Sequence, residues 1–282
     1  MRRTGLEVPL VITVAPTGAE VTREDNPNVP YTPAELAREV ERCWQEGASV
    51  CHLHIRENDG TPSARVEIWR EAVQRIRDAV PVIVNVSTGG AITMDAEERL
   101  TGLEVQPEMA SLTAGTTNFG EGVFFNPLPL VRRFAREMRA RGIRPEVEVF
   151  DVGMVANALR LVAEGEIEAP PHFNIMMGVP GAVAALPEHL MHIVRSLPDD
   201  ASWSVGGVGR FQKQMAALAI ALGGHVRVGF EDNVKLSRSE LATSNADFVR
   251  WVRELAQAFG RSVASPVQAR EILGVRSAPV AP

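Results

Sequence analysis

The sequence predicts an α/β protein with a (β/α)8 TIM barrel and a short C-terminal helical extension. Short apolar segments alternate with helix-like segments eight times along the 282 residues, and eight such units in about 250 residues are typical of this barrel. No linker or internal repeat marks a second domain, so residues 1–282 are predicted to form a single barrel domain. A doubly wound open sheet is the alternative, but residues 15–18 after the first strand lack its glycine fingerprint.

The predicted strands are short and apolar, and polar or glycine-containing segments bound them. They are expected at residues 8–14, 48–55, 82–86, 108–112, 145–150, 172–176, 203–208 and 226–230.

A helix is predicted after each strand, and the first has the clearest start. Thr32 can cap it, Pro33 suits its first turn, and Glu35 completes a capping box. The helices are expected at residues 33–47, 66–78, 96–100, 128–141, 154–164, 188–196, 211–222 and 244–260. A further short helix at 266–273 precedes a Pro/Ala-rich tail that we expect to be frayed.

Composition excludes several classes of function. The net charge is -6 and no Lys/Arg-rich run is present, which argues against a nucleic-acid partner. Two cysteines, Cys43 and Cys51, cannot form a disulfide framework. The N-terminus does not resemble a signal peptide, and apolar runs are shorter than the roughly 18 residues of a membrane span. The expected protein is cytoplasmic, without a membrane partner.

Two histidines on the second predicted strand indicate a metal site. Alternate residues of a strand share a face, so His52 and His54 point the same way. The alternative is a pair of hydrogen-bonded core histidines. Catalytic zinc commonly takes two histidines and one carboxylate, and Glu231 after the last strand is the candidate third ligand. An ion pair between Glu231 and Arg227 is its alternative.

Other polar residues follow the predicted strands, at the end of a barrel where active sites lie. Asp232 is expected to point away from Glu231, because neighbours in a strand face opposite ways, and to be free for acid/base work. Arg227 would hold Asp232 ionised, or form a structural ion pair with it. The remaining histidines are expected to be structural: His172, His189, His192 and His225.

A glycine-rich turn at residues 206–209 follows the seventh strand and leads into Arg210. Barrels often bind phosphate after this strand. Backbone amides there can hold an anion while Arg210 adds charge. The alternative is a tight loop with a surface arginine.

Taken together, these segments resemble the β-keto acid cleavage enzyme family along nearly the whole chain. The resemblance lies in GAEVT (18–22), NPNVP (26–30), HLHIR (52–56), STGG (87–90), PEMAS (107–111), EVEVFD (146–151), VGGVGR (205–210) and GHVRVGFEDN (224–233). It implies a zinc-dependent carbon–carbon cleavage in which a β-keto acid and acetyl-CoA give acetoacetate and the CoA ester of the remaining fragment.

The resemblance also implies a role for individual residues. The ligands of one zinc ion per subunit would be His52, His54 and Glu231. Asp232 would be the general base on the attacked or hydrated ketone, with Arg227 as its partner and Glu148 beside them. Substrate contacts would come from Glu20, Ser87 and Ser111, with Gly89 next to them, whereas the acetyl-CoA contacts are predicted from the position of the turn after the seventh strand, at Gly207 and Arg210.

Glu20 is the main clue to the substrate. It matches the carboxylate that binds the amino group of 3-keto-5-aminohexanoate in one branch of the family, and burying it unpaired would be costly. That substrate would give 3-aminobutyryl-CoA, and another cationic or neutral β-keto acid is the alternative. Ser111 stands where threonine is common, and residues 112–116 vary within the family. A homotetramer is expected by resemblance only.

Two other functions are alternatives for a barrel with these residues. Amidohydrolase barrels also use a His-x-His pair, but they carry it on the first strand and add histidines on the fifth and sixth. A metabolite-binding barrel without catalysis is the alternative from a different class, and the presence of Asp232, Arg227 and the metal set argues against it.

Overall fold

The computed structural model describes residues 5–275, so the expectation of a frayed tail lies outside the described residues. Eight parallel strands close into a barrel, and each strand pairs with its neighbours in chain order until the last pairs with the first. The predicted TIM barrel is therefore confirmed. The strands are β1 Ile12–Val14, β2 Val50–Leu53, β3 Ile83–Val86, β4 Met109–Thr113, β5 Arg144–Val149, β6 His172–Met177, β7 Ser202–Gly207 and β8 His225–Val228.

Helices surround the barrel, and the last of them packs across one end. They are α1 Pro33–Glu46, α2 Val66–Ala79, α3 Ala96–Leu100, α4 Leu128–Ala140, α5 Val152–Ala163, α6 Pro187–Ser196, α7 Gln212–Leu222, α8 Asn245–Ala258 and α9 Pro266–Leu273. The predicted start of α1 is confirmed, since the Thr32 side chain accepts from the Glu35 amide and the Glu35 carboxylate accepts from the Thr32 amide. Within the described residues no helix has the length and apolar content that crossing a membrane requires.

Three strands begin or end at least two residues away from their predicted bounds. The second, predicted at residues 48–55, is Val50–Leu53, so His54 lies just beyond its end. The first is confined to β1, because the preceding Leu10 pairs instead with Val263, next to α9. The last ends at Val228 rather than at residue 230. Gly229 follows it with φ 145°, and a side chain there would collide with the carbonyl oxygen of Ala15. The chain therefore leaves the barrel through a turn before it reaches Glu231.

Two small hairpins were not predicted. One joins Thr117–Phe119 to Gly122–Phe124 after β4, and the other joins Lys235–Ser237 to Glu240–Leu241 after β8. Each strand has three residues or fewer, too short for an alternating pattern to stand out. Both hairpins follow the carboxyl ends of barrel strands.

Helix α9 closes the opposite end of the barrel. Its Ala269 and Leu273 pack against the first residues of the strands, in a small apolar cluster that includes Val50, Ile83 and Met109. The Arg270 guanidinium also binds both carboxylate oxygens of Glu108, at 2.6 and 3.1 Å. The amino end of the barrel is therefore packed.

His225 lies buried near this amino end and should make the fold sensitive to acid. Its Nδ1 accepts the Val11 amide at 3.1 Å, and burial, with the nearby charge of Arg261, holds its pKa well below the usual value. An unfolded chain takes up a proton at this histidine below about pH 6.5 while the folded protein does not. Its contribution to stability is therefore complete above that pH and is lost as the pH falls.

A His225→Gln variant tests this expectation, because glutamine can still accept the Val11 amide but does not titrate. Between pH 7 and 5 the free energy of unfolding of the native protein should fall faster than that of the variant, by at most about 1.4 kcal/mol per pH unit. Urea unfolding at several pH values measures the difference. Parallel curves would show that His225 adds no acid sensitivity.

Candidate active site

A cavity of about 850 Å³ opens where the strands end. Most of the residues singled out in the sequence line it: Glu20, His52, His54, Ser87, Gly89, Glu148, Arg210, Arg227, Glu231 and Asp232. Ser111 and Gly207 are not among its lining residues. The barrel thus brings residues from both ends of the chain to one site.

The histidine pair and Glu231 converge at this cavity. Both histidines are buried, and their ring centroids lie 5.3 Å apart. The Oε1 atom of Glu231 is 3.7 Å from His52 Nε2 and 3.4 Å from His54 Nε2. One ligand atom from each residue lies within 4.8 Å of the others, close enough for all three to hold one metal ion.

Arg227 joins three carboxylates beside this cluster. Its Nε and Nη2 donate to the two oxygens of Asp232, both at 2.9 Å. Its Nη1 donates to Glu148 at 3.1 Å, and Nη2 also donates to Glu231 at 2.5 Å. The second oxygen of Glu148 accepts the Thr113 hydroxyl at 3.0 Å. The arginine therefore fixes the carboxylates relative to one another.

The expectation that Asp232 points away from Glu231 was wrong. Both residues lie beyond β8, in the turn that Gly229 begins, so strand alternation does not apply to them. Both carboxylates contact Arg227, so the ion pair considered for Glu231 exists together with its approach to the two histidines.

Burial and neighbouring charges give Asp232 and Glu231 different pKa values. Burial raises the pKa of Asp232 to about 6, because the charges of Glu231 and Glu148 add to it and offset much of the effect of Arg227. Burial alone would also raise the pKa of Glu231, but Arg227 and the two histidines hold that pKa well below its usual range. Asp232 is thus the more basic carboxylate of this adjacent pair.

The third and fourth strands contribute a supporting layer. The Ser87 hydroxyl lies at the cavity and accepts the Gly89 amide at 3.1 Å. Ser111 is fully buried, and its hydroxyl accepts the Thr88 amide while its carbonyl accepts the Thr88 hydroxyl. Ser111 therefore orders the loop after β3 and does not face the cavity itself.

Glu20 lies exposed at the cavity rim, on the loop after β1. The argument from the cost of burial therefore does not apply to it before a ligand binds. Arg56, which follows the histidine pair, holds this loop by donating to the carbonyls of Thr17, Gly18 and Val21 at 2.8–3.3 Å. The partners of Arg56 depend on how the two loops meet.

The glycine-rich turn after β7 offers fewer free amides than expected. The Val208 amide donates to Met177 and the Gly209 amide donates to the Asp232 carbonyl. Gly207 lies behind the cavity, where a side chain would strike the backbone of Phe211. Arg210 is exposed at the rim, with its guanidinium 4.8 Å from the Phe211 ring centre, so the arginine side chain supplies the positive charge.

Sequence reasoning missed the apolar wall of the cavity. It consists of Phe119, Phe124, Phe150, Met176 and Val179, and the hairpin after β4 supplies two of these rings. Exposed Lys235, in the hairpin after β8, also reaches the rim. The glycines at 120 and 122 between two phenylalanines were the only available signal for the first hairpin.

Comparison with known proteins agrees with this arrangement. Residues 9–275 match the model of the beta-keto acid cleavage enzyme family. The chain is 49% identical over 268 residues to the 3-keto-5-aminohexanoate cleavage enzyme of Acetoanaerobium sticklandii, covering 94% of this chain and 98% of that one. It is 48% identical to the enzyme of the same name from Fusobacterium nucleatum, covering 95% and 98%.

A solved structure shares the fold. The ternary complex of ObcA with a C4-CoA adduct and oxalate superimposes with a TM-score of 0.78, at 21% identity, over 88% of this chain and 68% of that chain. At this identity the likeness concerns the architecture alone.

Proposed function

The chain belongs to the beta-keto acid cleavage enzyme family, and from this premise we propose that it cleaves 3-keto-5-aminohexanoate with acetyl-CoA as co-substrate. The products would be acetoacetate and 3-aminobutyryl-CoA. One observation carries the proposal. Two histidines and Glu231 converge in one cavity, next to an Asp232 that accepts hydrogen bonds from Arg227. A merely structural ion-pair cluster would not need the two adjacent imidazoles.

The donor set of His52, His54 and Glu231 fits zinc. Two imidazoles and one carboxylate are a common catalytic set that leaves a coordination position for substrate. The second oxygen of Glu231 is buried and has no hydrogen-bond partner among the described residues, which suits a metal ligand better than a packed ion pair. When bound, zinc would polarise the keto oxygen of the substrate and stabilise negative charge there.

The carbon atoms of the two products show which bonds form and break, and therefore which proton a base must remove. Acetoacetate must contain C1 and C2 of the six-carbon acid and the acetyl group of acetyl-CoA. A bond therefore forms between C2 and the acetyl carbon as the thioester C–S bond breaks. The released CoA thiolate then adds to C3, the C2–C3 bond breaks, and C2 takes back a proton from the protonated base, which gives acetoacetate and the 3-aminobutyryl thioester.

C2 must lose a proton before it can bond to the acetyl carbon, and Asp232 is the residue suited to remove that proton. This target follows from the carbon count and replaces the attacked or hydrated ketone expected from the resemblance. Its pKa of about 6 leaves it ionised near neutral pH yet more basic than an ordinary aspartate. Arg227 orients it through two hydrogen bonds, and Glu148 holds Arg227 from the other side.

We expect the cavity of about 850 Å³ to bind the keto acid together with the acetyl end of acetyl-CoA. Glu20 at the rim would pair with the ammonium group of the keto acid. The exposed cations Arg210 and Lys235, also at the rim, would meet the phosphates of acetyl-CoA. The apolar wall of Phe119, Phe150 and its neighbours suits the pantetheine arm and excludes water from the reacting carbons.

A substrate panel with acetyl-CoA tests the proposal. The native protein should form acetoacetate from 3-keto-5-aminohexanoate faster than from neutral β-keto acids of the same length. Glu20→Gln should lower kcat/KM for the amino substrate about tenfold or more and leave that for the neutral acids nearly unchanged, because a charge-assisted contact is lost.

The matched control is Glu121→Gln, which removes another exposed carboxylate from the same rim. It should change neither value. Faster turnover of neutral acids by the native protein would overturn the role of Glu20. Absence of acetyl-CoA-dependent turnover throughout the panel would favour the metabolite-binding alternative.

A further inference from the structure

Only one nitrogen of the His52 ring, Nε2, faces the candidate metal site, and the other, Nδ1, does not take part in it. Its Nε2 faces the Glu231 carboxylate at 3.7 Å, whereas its Nδ1 is buried and has no hydrogen-bond partner among the described residues. A neutral imidazole that offers the Nε2 lone pair to a metal carries its proton on Nδ1. A buried N–H without an acceptor is costly, so this atom needs a partner.

The carboxyl group of Glu146 lies close to that nitrogen. It points from β5 into the barrel interior, is 1% exposed, and does not line the cavity. Its Oε1 lies 3.9 Å from His52 Nδ1, and movement of about 1 Å would bring the two atoms within hydrogen-bond distance. Its side chain is thus on the opposite side of the His52 ring from Glu231.

Neighbouring strands hold Glu146 in this position. Asn85, which is in register with His52 on the next strand, donates to Glu146 Oε1 at 2.8 Å. The other oxygen, Oε2, lies 3.7 Å from Nε2 of His172, whose Nδ1 is 2.9 Å from the Ser202 hydroxyl. The carboxyl group is therefore held by the Asn85 hydrogen bond and lies close to His172, with Oε1 next to the His52 ring.

We propose that Glu146 is a positioning residue that accepts the Nδ1–H of His52 and thereby aims Nε2 at the metal. The inference rests on the zinc site of the proposed function. Carboxylate or carbonyl oxygens behind metal-ligating histidines fix the tautomer and the ring orientation, and losing such an acceptor typically costs about 10- to 100-fold in metal affinity. Glu146 would act entirely through His52, since it contacts neither the cavity nor the substrate.

Zinc affinity, measured by competition with a chelating dye, tests this directly and does not depend on turnover. Glu146→Gln keeps the side-chain length and an acceptor oxygen, so zinc should bind within about threefold of the native affinity. Glu146→Asp keeps the carboxyl group but withdraws it by one methylene, and zinc should bind about 10-fold or more weakly. Both changes are conservative, and circular dichroism should show that both variants are folded before their zinc affinities are compared.

Ser204→Ala is the matched control. Ser204 is buried in the same barrel interior and bonds to Asn174, without a contact to His52. Its removal should leave the zinc affinity unchanged. Native-like zinc affinity in both the Gln and the Asp variants would overturn the role of Glu146 and show that it only stabilises the barrel interior. A native protein that binds no zinc would instead contradict the metal site of the proposed function.

Discussion

Replacing His52 or Glu231 with alanine is expected to abolish both zinc binding and turnover. Each change removes one of three ligands that lie within 4.8 Å of one another. The loss of zinc affinity should exceed the roughly 100-fold seen when only an outer partner of a ligand is removed. Metal analysis after dialysis should fall from one zinc per subunit to near zero, and acetoacetate formation should fall to background.

His192→Ala is the control for this pair, because it removes an exposed histidine from α6, outside the cavity. It should retain zinc and activity. The ion pair of Glu231 with Arg227 suggests a different outcome for Glu231→Ala, in which zinc stays bound and only the arginine is displaced. Full zinc occupancy in that variant would rule out Glu231 as a ligand.

Replacing Asp232 with asparagine is expected to separate metal binding from chemistry. Asparagine fits the same space but cannot take a proton, so turnover should fall by about 10²- to 10⁴-fold, the usual contribution of a general base. Zinc should remain at one per subunit, because the three ligands are untouched. Steady-state kinetics and metal analysis on the same preparation measure both quantities.

Asp151→Asn is the matched control, since Asp151 also follows a barrel strand but caps α5 by accepting the Met154 amide. Asparagine caps helices about as well as aspartate, so stability and turnover should both be kept. Turnover within tenfold of native in the Asp232 variant would show that another group removes the proton.

Much of the architecture followed from local patterns. The capping signals at Thr32 and Glu35 locate the start of α1, because the backbone donors that they satisfy lie within the same turn. The alternation of His52 and His54 predicts that both rings point the same way, because strand geometry has a period of two, and the structure places the ring centroids 5.3 Å apart although His54 lies one residue beyond the end of β2. The eight alternating units then lead to a barrel, in which the ends of the strands meet.

The relation between Glu231 and Asp232 did not follow from such patterns. It depends on where β8 ends, and that point is set where Gly229 meets the backbone of Ala15, more than two hundred residues earlier in the chain. The two hairpins at the rim and the loop held by Arg56 are likewise products of contacts between distant segments.

The sequence by itself thus determined the barrel and the shared direction of the histidine pair, because both depend on patterns of residues close together in the chain. Glu231 became a candidate ligand only because strand ends meet in such a barrel. Only the tertiary structure decided that Arg227 grips three carboxylates and that Glu146 stands behind His52. Such contacts cross the barrel interior. Their distances depend on the register and closure of all eight strands, which no local stretch of sequence encodes.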